Sequence, residues 1–139
     1  MATIDEVFNR YNKIDLVQIA KDVVTANEQA VLEINRTQLE YGYDSDGIRI
    51  VPKYASQQYA ELKASFGSKA PFRTPDLLLT GRFYHSFKFD NNFKVYSAGV
   101  PYAQWLEHHY GKNIYGFNDK NLNQVRKLYK DEIKKRIEL

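Results

Sequence analysis

From Ile14 to Glu40 the chain holds neither glycine nor proline, and Leu16, Ala20, Val23, Ala30, Val31 and Ile34 recur at steps of three and four. That period puts apolar side chains on one face of an α-helix, so the stretch predicts a long N-terminal amphipathic helix. Gly42 ends it, because glycine takes the left-handed backbone that commonly follows a last helical turn at no steric cost. A rod of this kind must bury its apolar side against another layer, which constrains the rest of the chain.

The other layer is expected after Thr80-Gly81. There the period changes from helical to two: Phe83, His85, Phe87 and Phe89 alternate with Tyr84, Ser86 and Lys88. Asp90-Asn91-Asn92 turns the chain, Phe93, Val95 and Ser97 alternate with Lys94 and Tyr96, and Gly99 closes the segment, so residues 83–98 read as a β-hairpin. Pro101 suits the first turn of a helix carrying Ala103, Leu106 and Tyr110. Asn118 is a candidate N-cap for a last helix, from about Asp119 to Glu138, with Leu122, Val125, Tyr129, Ile133 and Ile137 on one stripe.

Between these layers, Asp44-Ser45-Asp46-Gly47 reads as a turn before a short strand at Ile48–Val51, and Tyr54–Phe66 as a short helix closed by Gly67. GSKAPFRTPD, with Pro71 and Pro75, reads as an exposed loop. The expected fold class is α+β: a long N-terminal helix and a C-terminal helix packed on a small antiparallel sheet containing the hairpin, as one domain over residues 1–139.

Several function classes find no support in the residues. The chain lacks cysteine, which removes disulfide frameworks, thiolate zinc sites and Cys-His nucleophiles. It has no apolar run of membrane-spanning length, and MATIDEVFNR lacks the basic-then-apolar order of a signal peptide, so a soluble, untargeted protein is expected. Asp44, Asp46 and Gly47 look like part of a calcium loop. Aligning Gly47 with the obligatory glycine, however, puts Gly42 and Lys53 at ligand positions that neither can fill. His108 and His109 are adjacent and diverge on a helix, and no H-E-x-x-H, phosphate-loop or G-x-S-x-G pattern occurs. No catalytic set, metal site or cofactor site is expected.

The net charge of +3 is mild, but seven basic residues fall between Lys120 and Arg136 against Asp131 and Glu132. Arg126, Lys127, Lys130 and Lys134 lie opposite the apolar stripe of the last helix, either as a solvated face or as a surface that tracks phosphates. Tyr41, Tyr43, Tyr54 and Tyr59 suit protein interfaces as well as they suit stacking on bases. A nucleic-acid-binding accessory protein is therefore one alternative reading, and a small metal-dependent hydrolase using His85 or His108 a weaker one.

The order LTGRFYHSF (79–87), VPYAQWLEHHYG (100–111), NLNQVRKLYKDEIKKRI (121–137) resembles the head-tail joining, neck or tail-completion proteins of tailed bacteriophages. Those proteins have a long N-terminal helix, a Leu-Thr-Gly segment opening a strand, a hairpin, a Pro-Tyr-Ala helix start followed by glutamate and glycine, and a closing helix. The likeness covers about half the chain well, and Trp105-Leu106 before Glu107 and the Asp44–Lys69 region depart from it. It implies a structural, non-enzymatic virion protein, assembled in the bacterial host cytoplasm into a homo-oligomeric ring of six or twelve copies. The ring would join portal-side to tail-side proteins around a DNA channel, with no membrane partner. On this reading Thr80, Gly81, Arg82, Tyr102, Trp105 and Glu107 are turn or interface residues, with Gly81 a joint into the hairpin, and Arg126, Lys127, Lys130 and Lys134 face the channel.

Overall fold

The computed structural model describes residues 3–12 and 15–138, the side chains of 10–12, 137 and 138 excepted. Ile14 as a helix start and Ile137 as a stripe residue thus lie outside what is described. The order of elements is α1 (Ile4–Asn12), α2 (Leu16–Ala26), α3 (Glu28–Glu40), α4 (Gln57–Ser65), α5 (Arg82–His85), β1 (Phe87–Phe89), β2 (Val95–Ser97), α6 (Ala103–Tyr110), a 3-10 turn (Lys112–Ile114) and α7 (Asp119–Glu138). The expected mixed α+β class holds: among the described residues seven α-helices accompany a two-stranded antiparallel sheet.

The long N-terminal helix is divided. At Asn27 the backbone leaves helical geometry (φ −116°, ψ 23°), and both its N–H and its side-chain amide donate to the Val23 carbonyl. Asparagine competes for backbone partners in this way, and here it ends α2 and restarts the chain as α3. The buried faces consequently differ from the expected stripe. Ile19 and Val23 bury from α2, and Val31, Leu32 and Leu39 from α3, together with the polar Asn35, Arg36 and Gln38, while Leu16 and Ala30 are exposed.

The hairpin is shorter than alternation predicts, and it is preceded by a helical turn. Phe83 and Phe87 are both buried and meet edge to face, with ring centroids 5.0 Å apart. A spacing of four serves a helix and a strand equally, so the pair fits both periods, but Tyr84 breaks the tie. Expected on the opposite face, it is buried, and its hydroxyl donates to the Asp76 carbonyl. Helical geometry over 82–85 accommodates Phe83 and Tyr84 together in the core, and only then does the chain extend, pairing Phe87 with Ser97 and Phe89 with Val95. The Ile48–Val51 strand likewise reduces to one bridge, Tyr43 with Arg49. The turn before it is as expected, with Asp44 Oδ1 accepting from the N–H groups of Asp46 and Ile48.

The core joins Leu32 and Leu39 of α3 to Ile50, Phe83, Tyr84, Phe87, Val95, Ala103 and Ile114. Two buried carboxamides place the end of the chain. Asn35 donates to the Ile114 carbonyl (3.2 Å) and accepts from Gly116 N–H (2.9 Å); Gln38 donates to the Gly116 carbonyl (3.2 Å) and accepts from Asn118 N–H and Asn121 Nδ2 (both 2.9 Å). A glycine-containing connection is thereby fixed by side chains that saturate its backbone groups. Asn118 caps α7 as predicted, its Oδ1 accepting from Asn121 N–H. α7 then runs beside α1, α2 and α3, tied to α2 by Arg136 Nη2 on Asp22 Oδ2 at 2.9 Å.

Burial, first among the causes in each case, pushes the hydroxyls of Tyr54, Tyr84, Tyr110 and Tyr115 above the ordinary tyrosine value near 10.0; the next largest influence is the Asp76 charge for Tyr54 and Tyr84, the neighbouring Tyr59 for Tyr110 and the hydrogen bond to Glu107 for Tyr115. The sign follows from linkage. Above pH 10.0 the unfolded chain releases tyrosine protons that the native state retains, so stability present below that pH is lost as pH rises. Thermal melts should give a constant Tm from neutral to mildly alkaline pH and a progressive fall above about pH 10. A profile that stays flat through the alkaline range would contradict the burial of these hydroxyls.

Candidate interaction surfaces

The loop expected to be exposed over 67–76 is half buried. Thr74, Pro75 and Asp76 lie inside, held by an ion pair absent from the sequence reading: Lys63 Nζ of α4 stands 2.7 Å from Asp76 Oδ1, with both side chains nearly excluded from solvent. Asp76 also accepts from Ser68 Oγ (3.0 Å) and from Leu78 N–H (3.0 Å), and Lys63 donates to the Leu78 carbonyl. Each charge thus has a counter-charge and further polar partners, the condition under which a buried pair is tolerated. The loop threads close to the backbone at Gly42 (φ +81°), where an added Cβ would lie 2.6 Å from Thr74 Cγ2. That contact and the left-handed φ together exclude a side chain there.

From this anchor the chain presents apolar side chains to solvent. Phe66 is 77% exposed and Leu79 76%, with Leu62, Phe72, Tyr59 and Leu78 also exposed. Tyr59, Leu62, Phe66, Leu78 and Leu79 line an open groove of about 320 Å³ whose charges are paired: Lys63 with Asp76 within it and Lys69 with Glu40 at 3.2 Å on its rim. Leu77 sits at φ 58° and Arg73 at φ 71°, conformations that non-glycine residues adopt only when the surroundings hold them.

Thr80, Gly81 and Arg82 follow directly. Gly81 (φ +85°) is the left-handed residue at the head of α5, and Thr80 Oγ1 accepts from Arg82 N–H at 3.5 Å. The segment is a turn into a helical turn rather than into a strand, because Phe83 and Tyr84 must both enter the core. Thr80 and Arg82 are exposed.

The remaining predicted residues divide by role. Tyr102 is half buried against the core at the head of α6. Trp105 is exposed and stacked on His109, with centroids 4.7 Å apart and planes 11° from parallel. Glu107, half buried, accepts from Tyr115 OH at 2.7 Å, which ties α6 to the connection that leads to α7. Arg126, Lys127, Lys130 and Lys134 are all exposed on α7, and Leu122, Val125, Tyr129 and Ile133 are half buried on its other side. Among the described residues no three His, Asp or Glu side chains converge as ligands for a metal ion, and no helix is long and apolar enough to cross a membrane.

The sequence reading missed the Lys63–Asp76 anchor and the groove above it. The available signal was Leu77-Leu78-Leu79 beside Asp76: three leucines leaving a prolyl loop cannot all be buried where a turn follows at once. Comparison with protein-family models, with curated proteins and with solved structures gives no match to the chain.

Proposed function

We propose that the chain is a structural, non-enzymatic virion protein of a tailed bacteriophage: a head-tail connector, neck or tail-completion component. It assembles as a ring in the host cytoplasm and joins portal-side to tail-side proteins. The observation that supports this most is an exposed apolar edge on a rigid mount. Phe66, Phe72 and Leu79 stand in solvent beside a buried ion pair and two constrained backbone positions, and exposed apolar surface of that kind marks a contact with another protein. The order of segments from Leu79 to Ile137 supports the same reading through its resemblance to the connector proteins.

The exposed cations of α7 suit the wall of a DNA channel, where a sequence-independent phosphate contact is needed. They equally favour the second reading, an accessory protein that binds nucleic acid as a monomer. Single-particle imaging of the purified protein separates the two. The connector reading expects closed rings, and charge reversal at Arg126, Lys127 and Lys130 should leave those rings intact while weakening DNA retention. Particles that remain single at every concentration, with a DNA affinity falling steeply as salt rises, would overturn it in favour of the second.

A further inference from the structure

A second concavity, of about 590 Å³, lies between the end of α3, the 44–47 turn and the start of α7. That volume is within the usual range for a small-molecule site. Its lining is unlike that of the apolar groove, for it includes no aliphatic side chain: Tyr41 and Tyr43 supply rings, and the other side chains are hydroxyl, carboxamide, carboxylate and ammonium groups. Part of the wall is pre-formed. Gln38, buried, is held by Gly116, Asn118 and Asn121, and its Nε2 gives one hydrogen to the Gly116 carbonyl while the second has no protein acceptor among the described residues. The Arg49 guanidinium stands 3.8 Å over the Tyr43 ring, which fixes that side chain, and Tyr41 is exposed.

The charges of the lining select the class of occupant. Asp46 and Asp119 stand against Lys120 alone, so an anion would meet more carboxylate than ammonium, and Asp119 already occupies the first turn of α7 where an anion would otherwise be received. A metal ion finds no three convergent ligands among the described residues, and an aliphatic ligand finds no apolar wall. A neutral, hydroxyl-rich ring fits what is present. Its C–H face can rest on an exposed tyrosine, and each of its hydroxyls donates one hydrogen bond and accepts another. The acceptors are the Asp119 carboxylate and Asp46 Oδ1, since Asn113 Nδ2 takes only Asp46 Oδ2, at 2.8 Å. The donors are the Lys120 ammonium and the Asn118 carboxamide, whose Oδ1 alone is engaged, with Asn121 N–H.

We infer that this cavity binds a neutral mono- or disaccharide, stacked on Tyr41 and hydrogen-bonded by Asp46, Asn118, Asp119 and Lys120. The site is independent of the ring reading, because none of these residues belongs to the exposed apolar edge of Phe66, Phe72 and Leu79. Tyr41 and Asp119 are both exposed, so either can be changed without opening the core.

The test is a titration of the nitrogen-15-labelled full chain with maltose, lactose and diacetylchitobiose in turn, and with thymidine monophosphate for comparison, followed by amide chemical shifts. The expected result is a saturable response to at least one of the three sugars, confined to residues 37–47 and 118–124, with a weaker response or none to the nucleotide. Tyr41→Ala should weaken that binding about tenfold or more, and Asp119→Ala should weaken it as well, each with an unchanged Tm and native shifts elsewhere. Lys134→Ala, on the exposed face of α7 outside the cavity, should bind as the wild type does. No saturable response to any of the three sugars would overturn the inference. So would a tighter response of the same residues to the nucleotide, which would assign the cavity to a base, or wild-type affinity in both Tyr41→Ala and Asp119→Ala.

Discussion

Asp76→Ala should lower the free energy of unfolding by about 3–5 kcal/mol, because it leaves the Lys63 ammonium buried without its counter-charge. The same change deprives Ser68 Oγ and Leu78 N–H of their acceptor, so the loop from Gly67 to Leu79 should loosen before the rest of the domain. Urea denaturation followed by circular dichroism gives the difference directly. The double change Lys63→Met with Asp76→Leu should recover much of the loss, since it removes both charges instead of stranding one. A loss below about 1 kcal/mol for the single change would place the pair in solvent, where ion pairs contribute little, and would remove the rigid mount on which the proposed contact surface depends.

Phe83→Ala is expected to cost a similar amount, about 3–5 kcal/mol, by a different mechanism. Phe83 is 2% exposed and lies between Phe87, edge to face at 5.0 Å, and Tyr115, tilted at 6.0 Å. Its neighbours cannot close the cavity easily: Phe87 is fixed by pairing with Ser97, and Tyr115 by its hydrogen bond to Glu107. Phe66→Ala, by contrast, should shift the stability of the protomer by less than about 0.5 kcal/mol, since that ring stands in solvent. Equal losses at the two phenylalanines would show that Phe66 packs within its own chain and would argue against its role at a subunit boundary.

What the residues disclosed in advance follows from how local each feature is. The Asn118 cap, the Asp44 and Asp90 turns and the glycine stops are decided by groups a few residues apart, and they stand as expected: Asp90 Oδ1 accepts from Asn92 and Lys94 N–H in the same manner as Asp44 does from its neighbours. The break at Asn27 was less visible, because an asparagine inside an apolar repeat is compatible with an unbroken helix unless its amide turns back on the backbone. Alternation over 83–89 misled because Phe83 and Phe87 satisfy two periods at once, and only contact with Asp76 and α3 decides that Tyr84 is also internal. Arg36, buried in α3 with its Nε donating to the Tyr84 carbonyl at 2.7 Å, belongs to the same class of long-range fact.

The candidate surfaces were legible unevenly for the same reason. The cations on α7 could be assigned to the exposed side from helical spacing alone, and Gly81 could be assigned to a turn. Lys63 and Asp76 are separated by a loop, and nothing local distinguishes either from the charged residues around it. Of the three leucines that follow Asp76, Leu77 packs against the core while Leu78 and Leu79 are exposed, a division that only the folded arrangement decides.

Assembly is read from the mass of the purified wild-type chain by native mass spectrometry across a range of protein and salt concentrations, with Leu79→Asp run in parallel. A ring-forming chain gives a closed species of six or twelve copies for the wild type and monomer for the variant. A wild-type chain that stays monomeric at every concentration, or a variant that assembles as the wild type does, would overturn the ring.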